Sequence, residues 1–124
     1  MSAYDTAQTE EWNVRTEDET VVVELPSGVT LDEETGGQIN EAFAEATGRG
    51  STTRVLTLLG VENALDSGVF DEVKNGSDLA AANGIEQWAI VVEEKIKGMA
   101  FKSRIDSLDT EVFADEASAR EWLA

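Results

Sequence analysis

The stretch QWAIVV at residues 87–92 holds the strongest continuous apolar run in the sequence, and Glu93 and Glu94 end it. A run of this length that is rich in β-branched residues and follows the turn-forming pair Asn83-Gly84 predicts a strand buried on both faces. Such a strand lies inside a sheet, and helices must cover the sheet. The stretch therefore predicts a fold of the α/β class.

Patterns on either side of this strand complete a predicted order of elements. Alternation from residue 11, a polar turn at residues 17–19 and the run at residues 20–25 indicate an antiparallel hairpin. A capping box at Thr30 and Glu33 predicts a helix that runs to about Thr47. A second helix is predicted from Asp66, with a break at Asn75-Gly76 and a new start at Ser77. Helical spacing and apolar runs predict the remaining elements, which are strands at 55–59 and 110–113 and helices at 95–104 and 116–123.

The alternation of strands and helices sets the expected topology. Strands separated by helices should be parallel and joined by right-handed crossovers. The sequence thus predicts a mixed sheet of about five strands, with a leading hairpin and then parallel strands, covered by about four helices. Ligands of open α/β sheets bind outside the carboxyl ends of the strands, so a ligand is expected where the strands at 55–59 and 87–92 end.

The glycine pair Gly36-Gly37 interrupts the first predicted helix. Each glycine costs a helix roughly 1 kcal/mol relative to alanine, so the pair needs a reason. Close packing of the helix on the sheet is one interpretation. Approach of the backbone to a ligand is the other.

The charge of the chain is strongly negative. There are 26 Asp and Glu against 9 Lys and Arg, which gives a formal net charge of −17 and a pI near 4.1. Because the acids alternate with well-patterned apolar segments, we interpret them as a solvated shell suited to a salt-rich cytoplasm, where a Debye length of about 3 Å at 1 M salt screens self-repulsion. This points to a halophilic source. It also argues against a nucleic-acid partner, because no basic face could neutralise phosphates.

Several kinds of chemistry are missing from the composition. The chain has no cysteine and no histidine, which removes thiol chemistry, the commonest general base and the commonest transition-metal ligand. No carboxylate pair has an apolar setting that would shift its pKa, and neither an EF-hand pattern nor a P-loop occurs. We therefore expect a protein that is not an enzyme and holds no metal or cofactor.

The chain is expected to form one domain at residues 11–124, preceded by a disordered tail at residues 1–10. The tail is polar and shows no periodicity. No apolar run approaches about 18 residues, and the N-terminus lacks a signal pattern. We therefore expect a cytoplasmic, soluble protein, and leave open whether it forms a homodimer.

Three pieces of sequence resemble a known family. They are the apolar strand at 88–92, the segment Met99-Ala100-Phe101, and an ending from Val112 to Leu123 in which an acid-capped helix finishes in Trp-Leu. With the order of elements, they resemble the STAS fold of sulfate transporter and anti-sigma factor antagonist domains, and more closely the SpoIIAA-like group of small stand-alone proteins. The resemblance implies a non-enzymatic binding or regulatory module that acts through protein contacts. Some versions of the fold are associated with apolar ligands, which implies an alternative: a carrier of a lipid-like molecule held between the sheet and the helices.

The same resemblance singles out Ser67. In anti-sigma factor antagonists, a kinase phosphorylates a serine in an Asp-Ser-x-Gly setting, at the start of the helix after the third strand. This chain has Asp66-Ser67-Gly68-Val69 there, one residue short of that spacing. Ser67 is therefore a candidate phosphoacceptor. The alternative is that Asp66 and Ser67 only cap a helix, since nearby acids such as Asp71 would repel a phosphate.

The segment at residues 95–104 is the one basic part of the chain, with four of its nine basic residues. Ile96, Met99 and Ala100 form an apolar stripe at helical spacing. The stripe could cover the sheet together with Phe101 while the lysine stems extend along it. Alternatively, it could rest on a membrane surface or dock a partner protein. The candidate ligand or partner surface comprises Phe70, Lys95, Met99, Phe101 and Lys102.

Overall fold

The computed structural model describes residues 12–106 and 108–124. The tail predicted at residues 1–10 lies outside the described residues. The elements, in chain order, are β1 (Asn13–Glu17), β2 (Thr20–Leu25), α1 (Glu33–Thr47), β3 (Arg54–Leu59), α2 (Ser67–Ala82), β4 (Gln87–Val91), α3 (Lys95–Lys102), β5 (Asp109–Phe113) and α4 (Glu116–Leu123).

The strands form one five-stranded sheet in the order β1-β2-β3-β4-β5. The β1–β2 pair is antiparallel, and every later pair is parallel. This confirms the predicted mixed sheet with its leading hairpin. It also confirms that β4 is an inner parallel strand, since β4 pairs with both β3 and β5 and buries Trp88, Ala89 and Ile90.

The larger core lies between the sheet and the first three helices. Its centre is Trp88, whose ring lies 5.4 Å from the ring of Phe43 in α1 and 6.3 Å from that of Phe101 in α3. The indole N–H of Trp88 donates a 2.8 Å hydrogen bond to Oγ1 of Thr57, so its polar atom is satisfied inside the core. One aromatic residue of β4 thus joins the sheet to two helices.

The opposite face of the sheet is covered by α4. Ala119 and Leu123 are buried there against Val22, Leu56 and Ala89, as predicted for the last helix. The side chain of Asp115 caps the helix by accepting a 2.8 Å hydrogen bond from the N–H of Ser118. Because a helix on each face shields β4, its continuous apolar run is explained.

An ion-pair network links α4 to the leading hairpin. Arg120 lies 2.7 Å from Glu116 on its own helix and 3.1 Å from Glu17 of β1. The guanidinium of Arg15 hydrogen-bonds the same Glu17 carboxylate at 2.8 Å and lowers the pKa of Glu17 below its usual range. Two cations therefore hold one carboxylate where the helix crosses the hairpin.

Helices α1 and α2 approach each other closely, and this corrects two predictions. A Cβ at Gly76 would lie 2.6 Å from Oδ1 of Asn40, whose amide donates a 2.8 Å hydrogen bond to the carbonyl of Glu72. A Cβ at Gly36 would lie 3.3 Å from Cβ of Glu72. The predicted break at Asn75-Gly76 is therefore wrong, because Gly76 lets an unbroken α2 lie against α1. Gly36 likewise allows close packing, but against α2 and not on the sheet as one interpretation expected.

The start of α1 also differs from the prediction. The N-cap is Asp32, whose carboxylate accepts a 2.8 Å hydrogen bond from the N–H of Thr35. The capping box predicted at Thr30 and Glu33 is therefore wrong. The helix begins at Glu33, and Leu31 is a buried residue that precedes it. An acid at the cap satisfies a free backbone N–H and complements the helix dipole.

Candidate functional site

Helix α3 lies unusually close to the sheet because it faces the sheet with a glycine. A Cβ at Gly98 would lie 2.5 Å from Cγ1 of Val92 and 2.7 Å from Cγ1 of Val112. Gly98 and Phe101 are the buried residues of this helix. Its orientation is thus fixed by one missing side chain and one aromatic anchor.

This orientation turns the apolar stripe of α3 outward. Ile96 is 86% exposed and Met99 is 46% exposed, and they are the only large hydrophobic residues that the structure shows as exposed. The prediction that Ile96 and Met99 cover the sheet is therefore wrong. Phe101 is only 5% exposed, so it belongs to the core and not to the candidate surface.

The basic residues of α3 have different environments. Lys97 is 12% exposed, and its Nζ donates hydrogen bonds of 2.9 and 3.2 Å to the carbonyls of Val61 and Asn63 in the loop before α2. Lys102 pairs with Glu111 of β5 at 3.4 Å. Within the described residues, Lys95 is exposed and makes no ion pair. Of these three lysines, only Lys95 carries a charge that the fold leaves uncommitted.

Arg104 is a second cation without an ion pair among the described residues, and it lies outside the candidate surface predicted from the sequence. Its guanidinium carbon lies 5.0 Å from the centroid of the Phe70 ring in α2, at cation–π distance. It makes no ion pair with any carboxylate in residues 12–106 and 108–124. The available signal was an arginine at the end of the predicted basic helix, but its stacking on Phe70 depends on tertiary structure.

Ser67 is exposed and is the first residue of α2. The cap is formed by Asp66, whose carboxylate accepts a 3.0 Å hydrogen bond from the N–H of Val69. The next residue, Gly68, packs against α1, since a Cβ there would lie 2.8 Å from Oε1 of Glu33. Asp66 therefore has the predicted capping role, while the hydroxyl of Ser67 is accessible.

Two contacts connect the region at the start of α2 with α3 and the residues that follow it. Lys97 ties α3 to the loop before α2, and Arg104 ties the residues after α3 to Phe70. Ser67 and Phe70 are three residues apart on a helix and therefore share one face. We define the α2–α3 surface as Ser67, Phe70, Lys95, Ile96, Met99 and Arg104.

A groove lies at the edge of the sheet where a ligand was expected. It is open, has a volume of about 560 Å³, and forms where β2, β3 and β4 end. Its lining includes Leu58, Val91 and Val92 together with glutamates of the following loops. None of the residues of the α2–α3 surface lines it. That a ligand binds in this groove stays a prediction.

A second cavity tests the idea of a lipid-like ligand held between sheet and helices. It lies between β3, β4 and the first three helices, next to Phe43, Trp88 and Phe101. Its volume is about 50 Å³. Sites for drug-sized ligands measure roughly 300–1,000 Å³, so this cavity is too small for a lipid chain. The carrier alternative therefore has no support in the packing of the core.

No helix in residues 12–106 and 108–124 is long and apolar enough to cross a membrane. No group of three or more potential metal ligands of the Asp, Glu, His or Cys type converges within the same ranges.

Comparison with known proteins places the fold. No family model and no curated protein sequence matches the chain. Among solved structures, the anti-sigma factor antagonist SpoIIAA in its unphosphorylated form is similar, with a TM-score of 0.67 and 18% identity over 90% of this chain and 96% of that chain. The phosphorylated form of the Bacillus cell fate determinant SpoIIAA gives a TM-score of 0.60 and 18% identity over 91% and 99%.

A third structure carries the domain name. The anti-sigma-factor antagonist (STAS) domain protein from Planctomyces limnophilus gives a TM-score of 0.65 and 18% identity over 92% of this chain and 99% of that chain. At this level of identity the likeness concerns the fold. The mixed sheet with its leading hairpin, three helices on one face and α4 on the other is therefore the fold of STAS domains and of SpoIIAA.

Proposed function

We propose that this protein is a non-enzymatic regulatory module that binds a partner protein through the α2–α3 surface. The observation that carries the proposal is the 86% exposure of Ile96 beside the exposed Met99. Large apolar side chains at the centre of a polar rim are typical anchors of protein interfaces. In a surface dominated by carboxylates, these two side chains form the patch whose removal from water by a partner would be most favourable.

The charges around the patch indicate what kind of partner it would bind. Lys95 and Arg104 make no ion pair within the described residues, although acids outnumber bases 26 to 9 in the chain. Two free cations beside an apolar patch complement a partner surface that carries carboxylates. Since the similar SpoIIAA is an anti-sigma factor antagonist, a protein of the anti-sigma factor type is the proposed partner class.

Ser67 is the proposed control point of this surface. It is exposed at the start of α2, three residues before Phe70, and the similar SpoIIAA is known in a phosphorylated form. A phosphate carries a charge of about −1.5 to −2 near neutral pH and accepts strong hydrogen bonds from arginine. On Ser67 it would repel an acidic partner and compete with it for Arg104. Phosphorylation is therefore expected to weaken partner binding.

Replacing Ile96 by Asp is expected to weaken binding of the natural partner by about 30-fold or more, because removing a hot-spot side chain costs about 2 kcal/mol or more. The measurement is co-purification of the partner from host extract, followed by titration of the purified pair. The matched control is Ala117→Asp, which adds the same charge at an exposed position on α4. Equal loss with both variants would mean that the added charge matters and the patch does not.

Incubation with host extract and ATP is expected to add one phosphate to Ser67, which intact-mass and peptide mass spectrometry would locate. Ser67→Ala should abolish the modification, and Ser67→Glu should weaken partner binding. Asp66→Asn is the companion variant, because it keeps the side-chain cap while removing one charge beside the serine. A phosphate on another residue, or none at all, would contradict the assignment of Ser67.

A further inference from the structure

The groove at the carboxyl edge of the sheet is a second surface with its own chemistry. It is formed by the ends of β2, β3 and β4 and by the loops that follow them. Its volume of about 560 Å³ lies within the range of roughly 300–1,000 Å³ typical of ligand sites. It is open to solvent, which suits a segment of a partner chain better than an enclosed small molecule.

The floor of the groove is apolar. Leu58 and Val91 are neighbours on the α4 side of the sheet and remain half-buried, while Val92, which also lines the groove, is buried beneath α3. Ala114 is exposed at one end. An apolar side chain placed on this floor would remove both half-buried residues from water, which favours binding.

The rim of the groove is acidic. Four glutamates line it, and the one cation among the lining residues is Lys97. The ammonium of Lys97 is already engaged, because it hydrogen-bonds the carbonyls of Val61 and Asn63 and lies 3.6 Å from Glu94. Glu24 is paired with Arg15. The exposed carboxylates of Glu62 and Glu93 make no ion pair within the described residues.

We propose that this groove binds a partner segment that carries a basic side chain next to a bulky apolar one. The floor accepts the apolar side chain, and Glu62 and Glu93 accept the cation. An anionic ligand such as a phosphate would be repelled by the rim. No residue of the α2–α3 surface lines the groove, so a failure here would leave the function proposed for that surface untouched.

The proposal is tested with three synthetic peptides of equal length, titrated calorimetrically against the purified protein. One alternates leucine and arginine, the second has serine in place of leucine, and the third has glutamate in place of arginine. Only the leucine–arginine peptide is expected to bind well, and binding should persist in part at about 1 M salt, where exposed charges are screened. Equal binding of the serine peptide would show that net charge alone attracts peptides, and would overturn the proposal.

Matched variants locate the site. The pair Glu62→Gln with Glu93→Gln should weaken binding of the leucine–arginine peptide about fivefold, within the range of about 2- to 30-fold expected for the loss of two exposed ion pairs. The pair Glu41→Gln with Glu121→Gln removes the same charge outside the groove and should change the dissociation constant less than about twofold. Equal weakening by both pairs would overturn the proposal.

A blocking variant provides a second measure that does not depend on charge. Ala114→Trp would fill the groove from an exposed position, and Ala117→Trp adds the same side chain to α4 outside the groove lining. Only the first is expected to abolish peptide binding. Ile96→Asp should leave it unchanged, because Ile96 does not line the groove. Unaltered binding to Ala114→Trp would place the peptide elsewhere and overturn the proposal.

Discussion

Replacing Gly98 by alanine is expected to lower the free energy of unfolding by about 1–3 kcal/mol, the usual cost of overpacking a core. The added Cβ would meet Val92 and Val112 at 2.5 and 2.7 Å, well inside contact distance. Valine side chains are branched at Cβ and have few alternative rotamers, so helix α3 itself must shift. Urea denaturation followed by circular dichroism measures the effect.

Gly37→Ala is the matched control for Gly98→Ala. Gly37 also lies inside a helix, but the nearest atom to an added Cβ is 3.9 Å away, on the carboxylate of Glu72. This substitution should stabilise the protein by up to about 1 kcal/mol, because alanine favours the helix and restricts the unfolded chain. If Gly98→Ala were as stable as Gly37→Ala, α3 would not be held against the sheet as described.

Raising the salt concentration from about 0.1 M to 1 M KCl is expected to raise the melting temperature by about 4 °C or more, equivalent to about 1 kcal/mol. The net charge of −17 repels itself more strongly in the folded chain than in the unfolded one. Screening shortens the Debye length from about 10 Å to 3 Å and removes much of this repulsion. Thermal unfolding across a salt series provides the measurement.

A variant with five fewer acids tests the cause of this salt effect. Neutralising exposed carboxylates that make no ion pair in the described part of the chain should raise stability at low salt and flatten the dependence on KCl. Suitable substitutions are Glu34→Gln, Glu41→Gln, Asp71→Asn, Glu86→Gln and Glu121→Gln. A stability that is insensitive to salt, or equally sensitive in both proteins, would contradict the interpretation of the acids as a salt-adapted shell.

The fold was predictable because its decisive patterns are local. Each of these patterns involves only residues that are close in sequence. Examples are the apolar run of β4, the alternation that marks the hairpin, and the acid Asp115 before α4. Errors arose where a distant contact overrides a local pattern. Gly76 was expected to break a helix, but it packs against Asn40, which lies on another helix. Helix propensity alone carries no information about such a contact.

The candidate site was less predictable for the same reason. Helical spacing identified Ile96 and Met99 as a stripe, but spacing does not show which face of a helix meets the sheet. That choice depends on Gly98, whose missing side chain allows close approach to Val92. Arg104 belongs to the α2–α3 surface only because the fold places its guanidinium over the ring of Phe70. The position of Ser67 at the start of α2 could be predicted, since Asp66 is a local capping signal.

The most direct test of the α2–α3 surface is site-specific photo-crosslinking in the host cell. A benzophenone amino acid placed at Ile96 is expected to crosslink to one protein, which mass spectrometry would identify. The same group at Glu41, exposed on α1, is the control and should not capture that protein. A crosslink from Ile96 that is lost in the Ser67→Glu background would support both the binding of a partner at the α2–α3 surface and the control of that binding through Ser67. Equal crosslinking from both positions, or none from Ile96, would contradict it.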